Sequence, residues 1–288
     1  RRGMNQPTRS RALTIAVVVA LAAIAYFAWQ YFNAPAPAPQ PAPMAVTPMA
    51  PAPVVVASAP ELPGIQHPLD TMTPTATVSV ALPALADSDK LVSDRLAGVL
   101  SRNNILTFLQ LDGFVRRVVA TVDNLGRESA PPKLWPVVPT PERFTTLKAA
   151  DGTETIHPDN GQRYVPLVLM LESVDSAKAV ALYRSLYPLF QQAYEELGFP
   201  GKYFNDRLVA VLDQLIATPV PTAPVAVQLV AVKGSVPSLR PWVRYAYANA
   251  EMEALSAGQK ILLRSGPVNQ RRLIAKLQEV RRLVAKTP

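Results

Sequence analysis

SAKAVALYRSLYPLFQQAYEELGFPGKYFNDRL, Ser176 to Leu208, is the stretch on which the fold turns. Ala179, Tyr183, Leu186, Phe190, Ala193 and Leu197 recur at gaps alternating between four and three, the spacing of one packed helical face. Pro188 lacks an amide hydrogen and its ring meets the carbonyl of Arg184, so a kink is expected there. Gly198 follows the last periodic residue, where a left-handed residue ends a helix, and Pro200-Gly201 fits a tight turn. Asn205 reads as the N-cap of a second helix over 206–217, with Asp206 in its first turn. Capping chemistry thus explains most of a segment that otherwise looks like a binding loop. Lys202, Tyr203 and Arg207 are left without a structural task and stand as candidate partner-binding residues.

The same reading extends outward. Toward the N-terminus, helices are expected near 88–101, 104–110 and 113–125, followed by APPKLWPVVPTPERF, whose prolines demand an extended course. FTTLKAADGTETIHP reads as a hairpin around Asp151-Gly152, and a short apolar helix near 164–172 leads into the opening stretch. Beyond it, VAVQLVAV and WVRYAYA read as strands. Ser256 and Gln259 form a capping box, Gly266 a stop and Pro267 the first residue of the next helix, so two helices are expected near 249–265 and 267–286. The fold class is α+β, mostly α, with a small β component.

Before this domain the composition changes twice. Ala12 to Phe32 is a 21-residue run without a charge, close to the roughly 20 residues a helix needs to cross a bilayer. Tyr26, Phe27, Trp29, Tyr31 and Phe32 crowd its far end like an interfacial belt. Arg1, Arg2, Arg9 and Arg11 precede it and no charge follows until Glu61, so the basic side is expected in the cytoplasm. Asn33 to Pro83 then holds 13 prolines in 51 residues, a composition that favours extended polyproline II. The expected organisation is a cytoplasmic basic tail at 1–11, a transmembrane helix at 12–32, a Pro/Ala-rich disordered linker at 33–84 and a globular periplasmic domain at 85–288. Ala12, Ala16 and Ala20 fall four apart, a spacing that would let two copies pack as a homo-oligomer.

Charge and chemistry point the same way. The formal net charge is +8, and Lys260 to Pro288 holds eight basic residues against Glu279 alone. On the last helix Leu273, Leu277, Val280 and Val284 form an apolar stripe, while Arg271, Arg272, Lys276, Arg282 and Lys286 fall on the opposite arc, a cationic strip for an anionic envelope protein or peptidoglycan. Nucleic acid is not expected on the outer side of a membrane. The chain has no cysteine and two histidines, which removes thiol chemistry and disulfides. His157 with Asp159 lacks a nominated serine for a hydrolytic triad, and His157, Asp159 and Glu154 lack recognisable metal-ligand spacing. No cofactor motif is present. Glu195, Glu196, Asp206 and Asp213 lie around the helical corner, where paired carboxylates would suit a peptidoglycan-directed hydrolase.

ATVDNL (120–125), LYPLFQQAYEELGFP (186–200), FNDRLVAVLDQLIATP (204–219) and ALSAGQKILLRSGPVN (254–269) occur in this order. With them the chain, from about Leu85 to Ala285, resembles a bacterial domain-of-unknown-function family, the three-thousand-and-fourteenth so numbered. The resemblance implies an inner-membrane-anchored envelope protein and transfers no catalytic residue. The sequence therefore favours a stalked, non-enzymatic binding or scaffold domain, with the carboxylate hydrolase as its alternative.

Overall fold

The computed structural model describes residues 64–69, 82–231 and 240–285. The expected membrane helix at 12–32, most of the linker and Lys286 lie outside the described residues. Among the described residues no helix is long and apolar enough to cross a membrane.

Helix dominates. The order is α1 (Asp89–Leu96), α2 (Arg102–Phe108), α3 (Phe114–Leu125), hairpin β1 (Thr146–Lys148) and β2 (Glu154–Ile156), α4 (Val165–Ser173), α5 (Ser176–Ser185), α6 (Tyr187–Glu196) and α7 (Phe204–Ile216). Then come β3 (Val227–Leu229), β4 (Tyr245–Tyr247), α8 (Ala250–Glu253), α9 (Ala257–Arg264) and α10 (Pro267–Val284). The β component is two antiparallel pairs, β1 with β2 and β3 with β4, joined by the single bridge Thr155 to Ala226.

Proline at 188 does more than kink the long helix. The run breaks into α5 and α6 at Leu186, whose φ of −104° and ψ of 3° leave the helical region. With the axis redirected, α6 buries Tyr187, Leu189, Phe190, Ala193 and Tyr194, while Leu197, expected on the seam, is exposed. A straight 3.6-residue period cannot survive such a break, so the seam drifts by its end.

The corner after α6 closes as expected, with Gly198 at φ 110° and Gly201 at φ 73°. Its cap differs. Helix α7 begins at Phe204, and Asn205 sits within the first turn, fully buried, rather than at the N-cap. The reason is that the first orphan amides are satisfied from α6: Phe204 N donates to Gln191 Oε1 at 2.9 Å and Asn205 N to the Tyr187 hydroxyl at 3.2 Å. The Asn205 side chain is thereby released for longer reach, donating to His67 O (2.8 Å) and Val284 O (2.9 Å).

Aromatic side chains fill this corner. Phe190 stacks on Phe204 at 6.1 Å and Tyr194 on Phe199 at 4.6 Å, with Tyr183 edge-on to Phe190 at 5.2 Å. Burial pushes the Tyr183 and Tyr187 phenols far above their ordinary range, so both act as neutral donors or acceptors.

Residues 64–69 belong to this core although their composition places them in the linker. Asp206 accepts from Gln66 N (3.0 Å) and His67 N (2.7 Å), the Tyr203 hydroxyl accepts from Leu69 N (3.0 Å), and Leu69 is only 7% exposed. Six residues with one buried leucine are too short for periodicity to report, so the strap is held by groups the sequence pattern does not mark.

The hairpin, the capping box and the Gly266-Pro267 start stand as expected. Gly152 has φ 87°, Ser256 and Gln259 exchange both capping bonds, and Pro267 opens α10 behind Gly266 at φ 83°. The expected helix near 249–265 is instead two helices, because Leu255 and Ser256 turn the chain before the capping box restarts it.

Candidate functional site

An apolar cleft is built on the proline-rich loop between α3 and β1. Pro131, Pro132, Pro136, Pro139 and Pro141 remove five amide donors from it, and its expected extended course is interrupted by one 3-10 turn, Pro132–Leu134, which Pro132 opens. What remains is stitched down: Gln110 N donates to Pro136 O (2.8 Å), Val138 N to Phe108 O (2.9 Å), Gln110 Nε2 to Val137 O (3.0 Å) and Trp135 Nε1 to Ala130 O (3.1 Å). From the next turn Arg163 clamps the loop's far end, donating to Pro141 O (2.8 Å), Thr140 Oγ1 (3.3 Å) and Glu142 O (3.3 Å). The loop is therefore a wall.

The opposite wall is the turn Pro241–Val243 with β4. Tyr245 packs its ring 5.4 Å from Phe144, its hydroxyl donates to Glu154 Oε1 at 2.7 Å, and its carbonyl accepts from Arg264 at 2.8 Å. Glu154 also accepts from Thr146 Oγ1, and these two hydroxyls, Thr146 foremost, hold its carboxyl below the usual range. The floor comes from Leu167, Val168 and Leu171 of α4, Ile261 of α9 and Leu273 of α10. Between these surfaces lies a cleft of about 600 Å³, within the ~300–1,000 Å³ typical of small-molecule sites. Trp135, Phe144, Tyr164 and Trp242 line it, and Val243 stands 67% exposed at its rim.

Two features mark the rim. Arg143 lies with its guanidinium carbon 4.0 Å from the Trp242 ring centroid. Its neighbour Glu142 has φ 64°, the one non-glycine with positive φ among the described residues. A left-handed glutamate costs about 1–2 kcal/mol, and strain of this kind persists where surrounding structure enforces it.

None of the cleft residues was nominated from the sequence. The signal was present in Trp135, Val137 and Val138, which put three large apolar side chains into a loop. Loop apolars that cannot join a helix face must find another surface or form one.

The nominated residues fall elsewhere. Lys202, Tyr203 and Arg207 do come together, bordering a hollow of about 540 Å³ with Gly64 to Gln66 of the strap, Glu195 and Asp206. Two of them have structural work: Tyr203 receives Leu69 N, and Arg207 pairs with buried Asp123 at 3.0 Å. Lys202 is exposed, 5.7 Å from the Phe199 ring.

The cationic strip is also partly consumed. Arg272 forms a two-bond pair with Glu172, and Lys276 donates to Val174 O at 2.7 Å and to Glu279 at 3.2 Å. Arg281, which the strip omitted, pairs with Asp213 at 2.7 Å. The cause is angular. At 100° per residue, Arg272, Lys276 and Arg281 flank the apolar stripe and reach the neighbouring helices, whereas Arg271 and Arg282 point away and are exposed.

The carboxylates are similarly engaged. Asp206 serves the strap amides, Glu195 accepts from Gln191 at 2.8 Å, Glu196 accepts from Arg116 at 3.0 Å and Asp213 belongs to Arg281. Glu195 and Asp206 share the hollow beside the strap; Glu196 and Asp213 do not border it. His157 Nδ1 accepts from Asp159 N at 3.2 Å, capping its own turn. Among the described residues no group of three or more His, Cys, Asp or Glu side chains is placed to hold a metal ion.

The family model described as "Protein of unknown function (DUF3014)" matches residues 114–281, a span that contains every cleft residue. No curated protein and no solved structure matches the chain.

Proposed function

We propose, for a chain that belongs to the DUF3014 family of proteins of unknown function, that it is a membrane-anchored envelope protein whose outer domain binds a ligand in the proline-walled cleft. The observation that carries this reading is the cleft itself: a preformed apolar space of about 600 Å³ with a strained, arginine-bearing rim. The anchor rests on the uncharged run from Ala12 to Phe32, and the orientation on the four arginines before it. The Ala/Pro-rich stretch that follows would hold the domain away from the bilayer. Arg271, Arg282 and Lys202 remain available for an anionic envelope partner, so the strip becomes a secondary contact and the cleft the main one. The hydrolase reading loses support because three of its four carboxylates serve the strap or arginines.

Placement is tested by chemical labelling. The chain has no cysteine, so Val243→Cys in the full-length protein provides one exposed thiol at the cleft rim. A membrane-impermeant maleimide should label it in cells whose outer membrane alone is opened. Labelling only after the inner membrane is broken would place the domain in the cytoplasm and overturn the proposal.

A further inference from the structure

The cleft asks for a ligand that needs almost no hydrogen bonds inside and one anionic group at the mouth. Its wall has few backbone groups left to offer. The carbonyls of Pro136, Val137 and Pro141 are already bonded, as are Val138 N and the Trp135 indole N–H, and the prolines have no amide hydrogen. An extended peptide laid here would leave its own amides and carbonyls unpaired, at the cost of desolvating each. An alkyl chain has no such groups.

The mouth is cationic. Arg163 and Arg264 line it with the one carboxylate of Glu142 among the described lining residues, and Arg143 stands beside it on the lining ring of Trp242. Arg163 is spent on the loop, and Arg264 donates to Tyr245 O. Arg143 differs: it is exposed and has no hydrogen bond or ion pair with any described residue. A guanidinium over an aromatic face can still use its in-plane donors, which receive a planar carboxylate through two parallel bonds. The exposed rim apolars Val138 and Val243 continue the wall outward from the floor.

We propose that the cleft binds a single acyl chain ending in a carboxylate, the chain lying against Leu167, Leu171 and Trp135 and the carboxylate meeting Arg143; this rests on the reading of the cleft as the binding site. The strained φ at Glu142 then has a use, since it fixes the backbone from which Arg143 reaches Trp242.

The test uses the cleft's own fluorophores. The chain has three tryptophans, two of which line the cleft, so Trp29→Phe in the full-length protein held in amphipol leaves only Trp135 and Trp242. Dibrominated stearic acid should quench them saturably. Arg143→Gln, a change at an exposed side chain, should weaken that binding about fivefold, and leave binding of the matching brominated alcohol unchanged. If the alcohol binds as tightly as the acid and Arg143→Gln has no effect, the carboxylate assignment is wrong while the cleft stands as a binding site. Tighter quenching by a brominated lysophosphatidylglycerol would replace the carboxylate with a phosphate head. If no amphiphile quenches, both this inference and the cleft reading fall.

Discussion

Arg207 Nε donates to Asp123 Oδ1 across 3.0 Å while its terminal nitrogen reaches the Asp123 carbonyl at 2.7 Å, tying α7 to α3 at both the side chain and the backbone of one residue. Arg127 takes the other carboxylate oxygen at 2.8 Å, and the Asp123 side chain is only 6% exposed. A buried carboxylate held by two guanidinium groups is costly to orphan from either side.

Asp123→Ala should therefore destabilise the domain by about 3 kcal/mol, because Arg207 loses its side-chain partner in a half-buried place. Urea unfolding followed by circular dichroism measures it. A loss under about 0.5 kcal/mol, the range of ordinary surface changes, would show that the network is solvated in solution.

Leu69→Ala should cost about 2–3 kcal/mol, as a core truncation does. A residue in a solvated linker would cost nothing, so the same unfolding experiment decides whether the strap belongs to the folded domain.

Gly258→Ala should destabilise although alanine is the better helix former. An added Cβ would lie 2.5 Å from Leu215 Cδ2 and 3.0 Å from Leu125 O, where α9 presses on α7 and α3. Overpacking of about 1–3 kcal/mol outweighs a propensity gain of about 1 kcal/mol. A raised melting temperature would mean the helices can separate freely.

Glu154 gives a pH signature. Its hydroxyl donors hold the folded carboxyl below the ordinary value of 4.5. Its contribution is then complete above that value and is lost as pH falls through the lowered folded one. Urea midpoints for wild type should decline below about pH 4.5 more than those of Glu154→Gln. Parallel profiles would show that the Thr146 and Tyr245 bonds do not form.

Local chemistry was legible in the sequence where one residue type has one geometric use. Gly198, Gly152, Gly266 with Pro267, and the Ser256 and Gln259 box all mark the turns they were read to mark. Asn205 failed as a cap because its amide was satisfied from another helix, a tertiary contact that local pattern does not carry. The pairing within the cationic strip was hidden for a related reason: helical periodicity gives the angle of Arg272 and Lys276 but not the presence of Glu172 and the Val174 carbonyl beside them. The cleft was the least legible. Its walls are a loop and a turn about a hundred residues apart, and only folding brings Arg143 onto Trp242.

The most direct measurement is native mass spectrometry of the full-length protein released from cell membranes. Wild type should carry a bound mass that matches a single-chain carboxylic acid, and Val243→Glu, which sets a negative charge at the exposed rim, should lack it. Identical spectra for the two proteins, or no bound mass on either, would contradict the account.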